Sequence, residues 1–185
     1  MDLRVEKTKR SIINAFLNIR SRKPLEKITI KELAELAEIN KATFYLHYHD
    51  VYDLSESLER DVVESTLHGI EHPEYIFEKT EQFTRELTVA FSANEQLIKI
   101  LFEGNRGERF VTLLENGIIA LIRQAYPDYN PSMERKMTMT YLIYGGYYTY
   151  FKYCDYGLDS IIDVISKFSG KVIEPYGDGK EENKS

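Results

Sequence analysis

Cysteine is almost missing from this chain. Cys154 is the only one in 185 residues, which excludes an internal disulfide and a cysteine-built zinc cage. Breakers are scarce too, with five prolines and ten glycines. No apolar stretch approaches the roughly 20 residues needed to span a bilayer. No apolar run follows the first basic residues, so a signal peptide is not expected and a cytoplasmic location is.

What is present is a sizeable apolar fraction, 43%, on a chain of net charge −6. That charge is unevenly spread. Residues 1–50 hold ten lysines and arginines against seven aspartates and glutamates, a net +3, which leaves −9 for the remainder. A basic head on an acidic body suggests a polyanion-binding module joined to something that is not one.

Apolar residues recur at spacings of three and four, so the chain reads as all-α with about nine helices. Helix 1 is expected over roughly 4–21, with Ile12, Ile13, Phe16, Leu17 and Ile19 on its apolar face. "RKPL" ends it. Thr29 can cap a second helix carrying Leu33, Ala34, Leu36 and Ala37, and Asn40 can cap a third over about 41–47. A longer helix is expected over about 51–69, then others near 74–92, 95–103, 107–125, 132–156 and 158–169. The charge reversal near residue 50 marks a boundary. The expected organisation is a head over 1–50, a helical body over 51–173 and a frayed tail over 174–185.

The densest cluster of hydrogen-bonding side chains is "INKATFYLHYHD", residues 39–50. Two short helices joined by a brief turn, after a longer helix, form a helix-turn-helix pattern, and together these three helices make up the head. In that motif the second short helix enters the DNA major groove. Ala42 would let the backbone approach closely. Thr43, Tyr45, His47 and Tyr48 offer hydroxyl and imidazole groups, and Phe44 faces the small core. A metal or catalytic pair fits less well. His47 and His49 are two apart and diverge by about 200° on a helix, so they cannot chelate one ion. The absence of a convergent His, Asp, Glu and Cys set points away from an enzyme, and no cofactor is expected.

"ITIKELAELAEINKATFYLHYHDVYDL", Ile28–Leu54, resembles the DNA-binding segment of the tetracycline-repressor (TetR) family. Thr29, Leu33, Ala34, Ala37, Ile39, Asn40, Lys41, Ala42, Thr43, Phe44, Tyr45, His47 and Tyr48 fit that family's pattern in order. The direct match covers about fifty residues, and "TFYLHYHDVYDL" is also similar to the DhaS-like subset, named for a dihydroxyacetone-operon activator. Two positions depart from the pattern. Glu38 stands where the family usually has a turn glycine, so a left-handed backbone there would be strained. His49 and Val51 occupy a stretch where the family often has a phosphate-seeking lysine, a contact that could pass to His49, Tyr52 or an amide at the start of the fourth helix.

The resemblance implies a homodimeric transcription regulator on a palindromic double-stranded operator, with repression as the family default. The two heads would sit in successive major grooves, about 34–36 Å apart. Thr29, Lys41, Ala42, Thr43, Tyr45, His47, Tyr48 and His49 become the expected DNA-binding residues, with His47 and Tyr45 nearest the base edges. An activator or interaction module controlled by a protein partner is the alternative.

The acidic half offers two further candidates. Gly145 and Gly146 permit close helix approach, which suits either a dimer contact or the wall of a cavity, and with the stripe Leu158, Ile161, Ile162, Ile165 and Phe168 they suit a helical dimer seam, which the resemblance also implies. Packing inside one protomer accounts for the same periodicity. Phe83, Leu87, Phe91, Phe102, Phe110, Tyr144 and Tyr148 are candidates to line a pocket for a small-molecule effector, against the alternative of ordinary core. The expected switch is a tilt of the 51–69 helix.

Overall fold

The computed structural model describes residues 3–104 and 106–173. The expected tail over 174–185 lies outside them. Among the described residues the chain is all-helical, with ten α-helices and no strand. It divides into two compact units. The first comprises residues up to 64 together with 94–110, and the second comprises 65–93 with the residues from 111 onward. The head therefore does not end near residue 50. It takes in most of the fourth helix and all of the seventh.

In the first unit, α1 (Leu3–Arg20) buries Ile12, Ala15, Phe16 and Ile19 on one face. Pro24 and a single 3-10 turn over Leu25–Lys27 redirect the chain. Next come α2 (Ile30–Leu36), α3 (Lys41–Tyr45) and α4 (Val51–His68). After the excursion into the second unit, α7 (Glu95–Phe102) returns to pack on α1, burying Ile98, Leu101 and Phe102. The first turn of α8 (Gly107–Ala125) closes the unit.

Two ion-pair sites fix this assembly. Glu59 of α4 is completely buried, and its Oε1 accepts from Arg106 Nε at 2.9 Å, Arg106 Nη2 at 2.6 Å and the Ser55 hydroxyl at 2.8 Å. Its Oε2 accepts from Arg109 Nε at 2.6 Å. A buried carboxylate is tolerated when its lone pairs are met this fully. The second is buried Arg20, which donates to the Glu103 carboxylate and backbone carbonyl, both at 3.2 Å. It joins the end of α1 to the residue after α7.

The second unit contains α5 (Tyr75–Glu78), α6 (Thr80–Ala93), the body of α8, α9 (Met133–Tyr153) and α10 (Leu158–Val172). The single helix expected over 74–92 is two. Lys79, at φ −143° and ψ 58°, breaks it. α10 packs chiefly against α6. No helix among the described residues is long and apolar enough to cross a membrane.

Candidate functional site

The α2–α3 segment is built by local hydrogen bonds that the sequence spells out. The Thr29 hydroxyl oxygen accepts from the Glu32 amide at 3.2 Å and caps α2. At the other end, the Glu38 amide donates to the Glu35 carbonyl at 3.3 Å and the Ile39 amide to the Ala34 carbonyl at 3.0 Å. This paired closure needs a left-handed residue between the two donors, usually glycine. Glu38 supplies it at φ 55°, the only non-glycine residue with positive φ among those described. The strain expected from its departure from glycine is therefore present. Asn40 then caps α3 by accepting from the Thr43 amide at 2.7 Å.

The residues of and after α3 sort by helical register. Phe44 and Tyr48 point inward and are buried. Lys41, Ala42, Tyr45, Leu46 and His49 are exposed, and Thr43 and His47 lie between these extremes. Leu46 continues the helical backbone as the C-cap, at φ −74° and ψ −17°. The exposed face thus runs Lys41, Ala42, Tyr45, Leu46, His49. Sequence reasoning passed over Leu46. Its signal was the i, i+4 spacing from Ala42, which puts both on one side of a helix.

Three expected contacts change. Tyr48 is 5% exposed, so it belongs to the core of the first unit and its hydroxyl cannot meet a phosphate. Burial pushes that phenol up to about 12, with Asp61 and Asp53 adding to the shift, and the oxygen has no hydrogen-bond partner among the described residues. The Thr43 hydroxyl donates to Asn40 Oδ1 at 3.0 Å, which leaves it an acceptor unless it rotates. The start of α4 already holds two of the chain's own carboxylates, which disfavour an anion there. The His49 amide donates to Asp53 Oδ2 at 2.9 Å, and the Asp53 amide to Asp50 Oδ1 at 2.8 Å.

The second unit holds an apolar cavity of about 90 Å³ among α6, α8, α9 and α10. Phe83, Leu87 and Phe91 line it as expected, joined by Gly146, Tyr147 and Tyr150. Phe91 meets Tyr150 edge-on at 4.7 Å between ring centroids. Burial raises the Tyr147 phenol, with Tyr148 contributing, so it remains a donor at neutral pH. None of the lining residues is charged. Phe102 and Phe110 do not line this cavity. They pack edge-on against each other at 4.9 Å in the first unit. Tyr144 and Tyr148 lie on α9 but away from the lining, and Tyr148 is exposed.

The proposed seam residues also separate. Ile161 and Ile162 are buried within the chain itself and are not free to meet a second copy. Ile165 is half-buried, and its Cγ2 would lie 3.6 Å from a Cβ at Gly146. Gly145, Leu158 and Phe168 are exposed, and a Cβ at Gly145 would meet nothing within 4 Å. Tyr141, Gly145, Val164 and Phe168 share a shallow groove along α9 and α10, where Val164 is 62% and Phe168 50% exposed.

No known protein-family model matches the chain, and no curated protein matches it either.

Proposed function

We propose that the protein is a dimeric, DNA-binding transcription regulator of the tetracycline-repressor kind, a repressor whose operator affinity responds to a small molecule held in the second unit. The observation that carries this reading is the exposed face of α3. A capped helix presents a lysine, a small residue and a tyrosine together, on a scaffold whose aromatic side chains Phe44 and Tyr48 are turned inward. Such a face suits the major groove, where a close backbone approach and short polar contacts are needed. The resemblance of Ile28–Leu54 to that family's DNA-binding segment supports the same reading.

Lys41 and the exposed basic residues of α1 supply attraction to phosphates. Thr29 and His49 hold position on the backbone, Thr43 does so only if its hydroxyl turns away from Asn40, and Tyr45 reaches toward base edges. A second copy of the chain covers the exposed apolar strip of α9 and α10, which gives the paired heads that a palindrome requires. The uncharged cavity among α6, α8, α9 and α10 is the place for the effector.

Selection of bound duplexes from a random pool tests the DNA reading. Recovery of a palindrome, with log affinity falling steeply against log salt, is the expected result. Failure to retain any duplex at low salt would remove it.

A further inference from the structure

Leu46 is 83% exposed, more than any other large hydrophobic residue among those described. It stands on the same face as Lys41, Ala42, Tyr45 and His49, in helical register one turn beyond Ala42. Nothing in its own unit shields it. Its neighbours on that face are a lysine, a tyrosine, a histidine and an alanine, so the apolar area is about one side chain plus the edge of Tyr45, itself 57% exposed. A protein-docking patch needs a contiguous apolar area of several hundred Å². One leucine among polar groups fits a surface that is polar apart from isolated methyl groups.

The major groove is such a surface. Its base edges carry hydrogen-bonding groups, and the thymine C5 methyl is the one apolar group among them. Resting on the DNA-binding reading above, we propose that Leu46 is a specificity-determining residue that packs against a thymine C5 methyl in each half-site. Ala42, one turn earlier, leaves room for the helix to lie close enough for that contact. Tyr45 and Lys41 fix its position through polar contacts alongside. The methyl contact selects A·T over G·C at one position by burying apolar surface, with no hydrogen bond to the base from Leu46 itself.

The test uses the full-length protein and the duplex recovered from a random pool. Each thymine is replaced in turn by deoxyuridine, which removes only the methyl group. At one symmetry-related pair of positions, affinity should fall about fourfold per contact, the loss expected for one buried methyl. Leu46→Ala should bind the thymine duplex weakly by a similar factor and become indifferent to the deoxyuridine change. Leu46→Met should keep the dependence. Circular dichroism and thermal unfolding of the variants should match the parent, since the side chain is exposed. Placing cytosine at that position should weaken binding, and 5-methylcytosine there should recover part of the loss in the parent only.

Uniform affinity across all deoxyuridine duplexes overturns the inference while leaving DNA binding in place. So does a methyl dependence that survives Leu46→Ala unchanged. If no duplex is bound at low salt, the DNA reading falls and the inference falls with it. Saturable binding of a protein that is lost in Leu46→Ala would then place the residue at a protein interface instead.

Discussion

Asn40 and Thr43 are joined twice. One oxygen of the Asn40 amide accepts the Thr43 backbone N–H at 2.7 Å and the Thr43 hydroxyl at 3.0 Å. A helix of five residues has few bonds of its own, so its direction depends on such a cap. Asn40→Ala should lower stability by about 1 kcal/mol and weaken operator binding beyond that of Thr43→Ala. Asn40→Asp should keep the cap and the stability but lose affinity, because it sets a negative charge beside α3. Denaturant titration and fluorescence anisotropy, run together, separate the two effects.

Glu38 sits in the left-handed region at φ 55° because the closure of α2 requires that conformation. An L-residue there costs roughly 1–2 kcal/mol, and glycine gives back part of the gain through its freedom in the unfolded chain. Glu38→Gly should therefore stabilise the protein by about 0.5–1 kcal/mol, raising Tm by about 2 °C. A lower Tm by calorimetry would mean that the carboxylate makes a compensating contact.

Tyr48 links the fold to alkaline pH. Its phenol is pushed up to about 12 from an ordinary 10.0, first by burial and then by Asp61 and Asp53. The folded state holds this proton more tightly than the unfolded state. The associated stability is whole below about pH 10 and is lost as pH rises through about 12, a change of order 2 kcal/mol. Tyr48→Phe should flatten that part of the profile and, by deleting a buried hydroxyl without a partner, stabilise the protein at neutral pH by about 1 kcal/mol. Operator affinity should be unchanged. A large loss of affinity would return Tyr48 to the interface.

Assembly is tested at exposed positions, where a new charge does not disturb a protomer. Val164→Glu and Phe168→Glu should leave helicity intact and halve the mass seen by sedimentation. Ile161→Glu should unfold the protein, because that side chain is already buried. A folded dimer persisting in both surface variants would put the interface elsewhere.

Glu59 gives the largest expected loss of stability. Glu59→Gln removes the charge that offsets Arg106 and Arg109 and should cost about 3 kcal/mol. Arg106→Met with Glu59→Leu should recover part of it, since apolar packing often replaces a buried ion pair and Arg109 keeps its pair with Glu56 at 3.2 Å. Urea unfolding of the single and double variants measures both.

By itself the sequence determined most of the helices and the caps of α2 and α3, though not the break at Lys79. Thr29, Asn40 and the odd residue Glu38 act within four or five residues of the chain, so their chemistry was readable without tertiary contacts. The 3.6-residue period likewise placed Phe44 in a core and Ala42 outside it. The sequence could not tell which of two inward faces a residue served. Ile161 and Ile162 fill the chain's own core while Val164 and Phe168 do not, and Phe102 and Phe110 belong to the first unit rather than to the cavity lined by Phe83, Leu87 and Phe91. Periodicity reports that a side chain leaves water but not what covers it. Burial of Tyr48 and the Glu59 arginine clamp depended on positions brought together in space, with Glu59 and its arginines 47 and 50 residues apart. Such pairings are set by tertiary packing, and only the folded arrangement decided them.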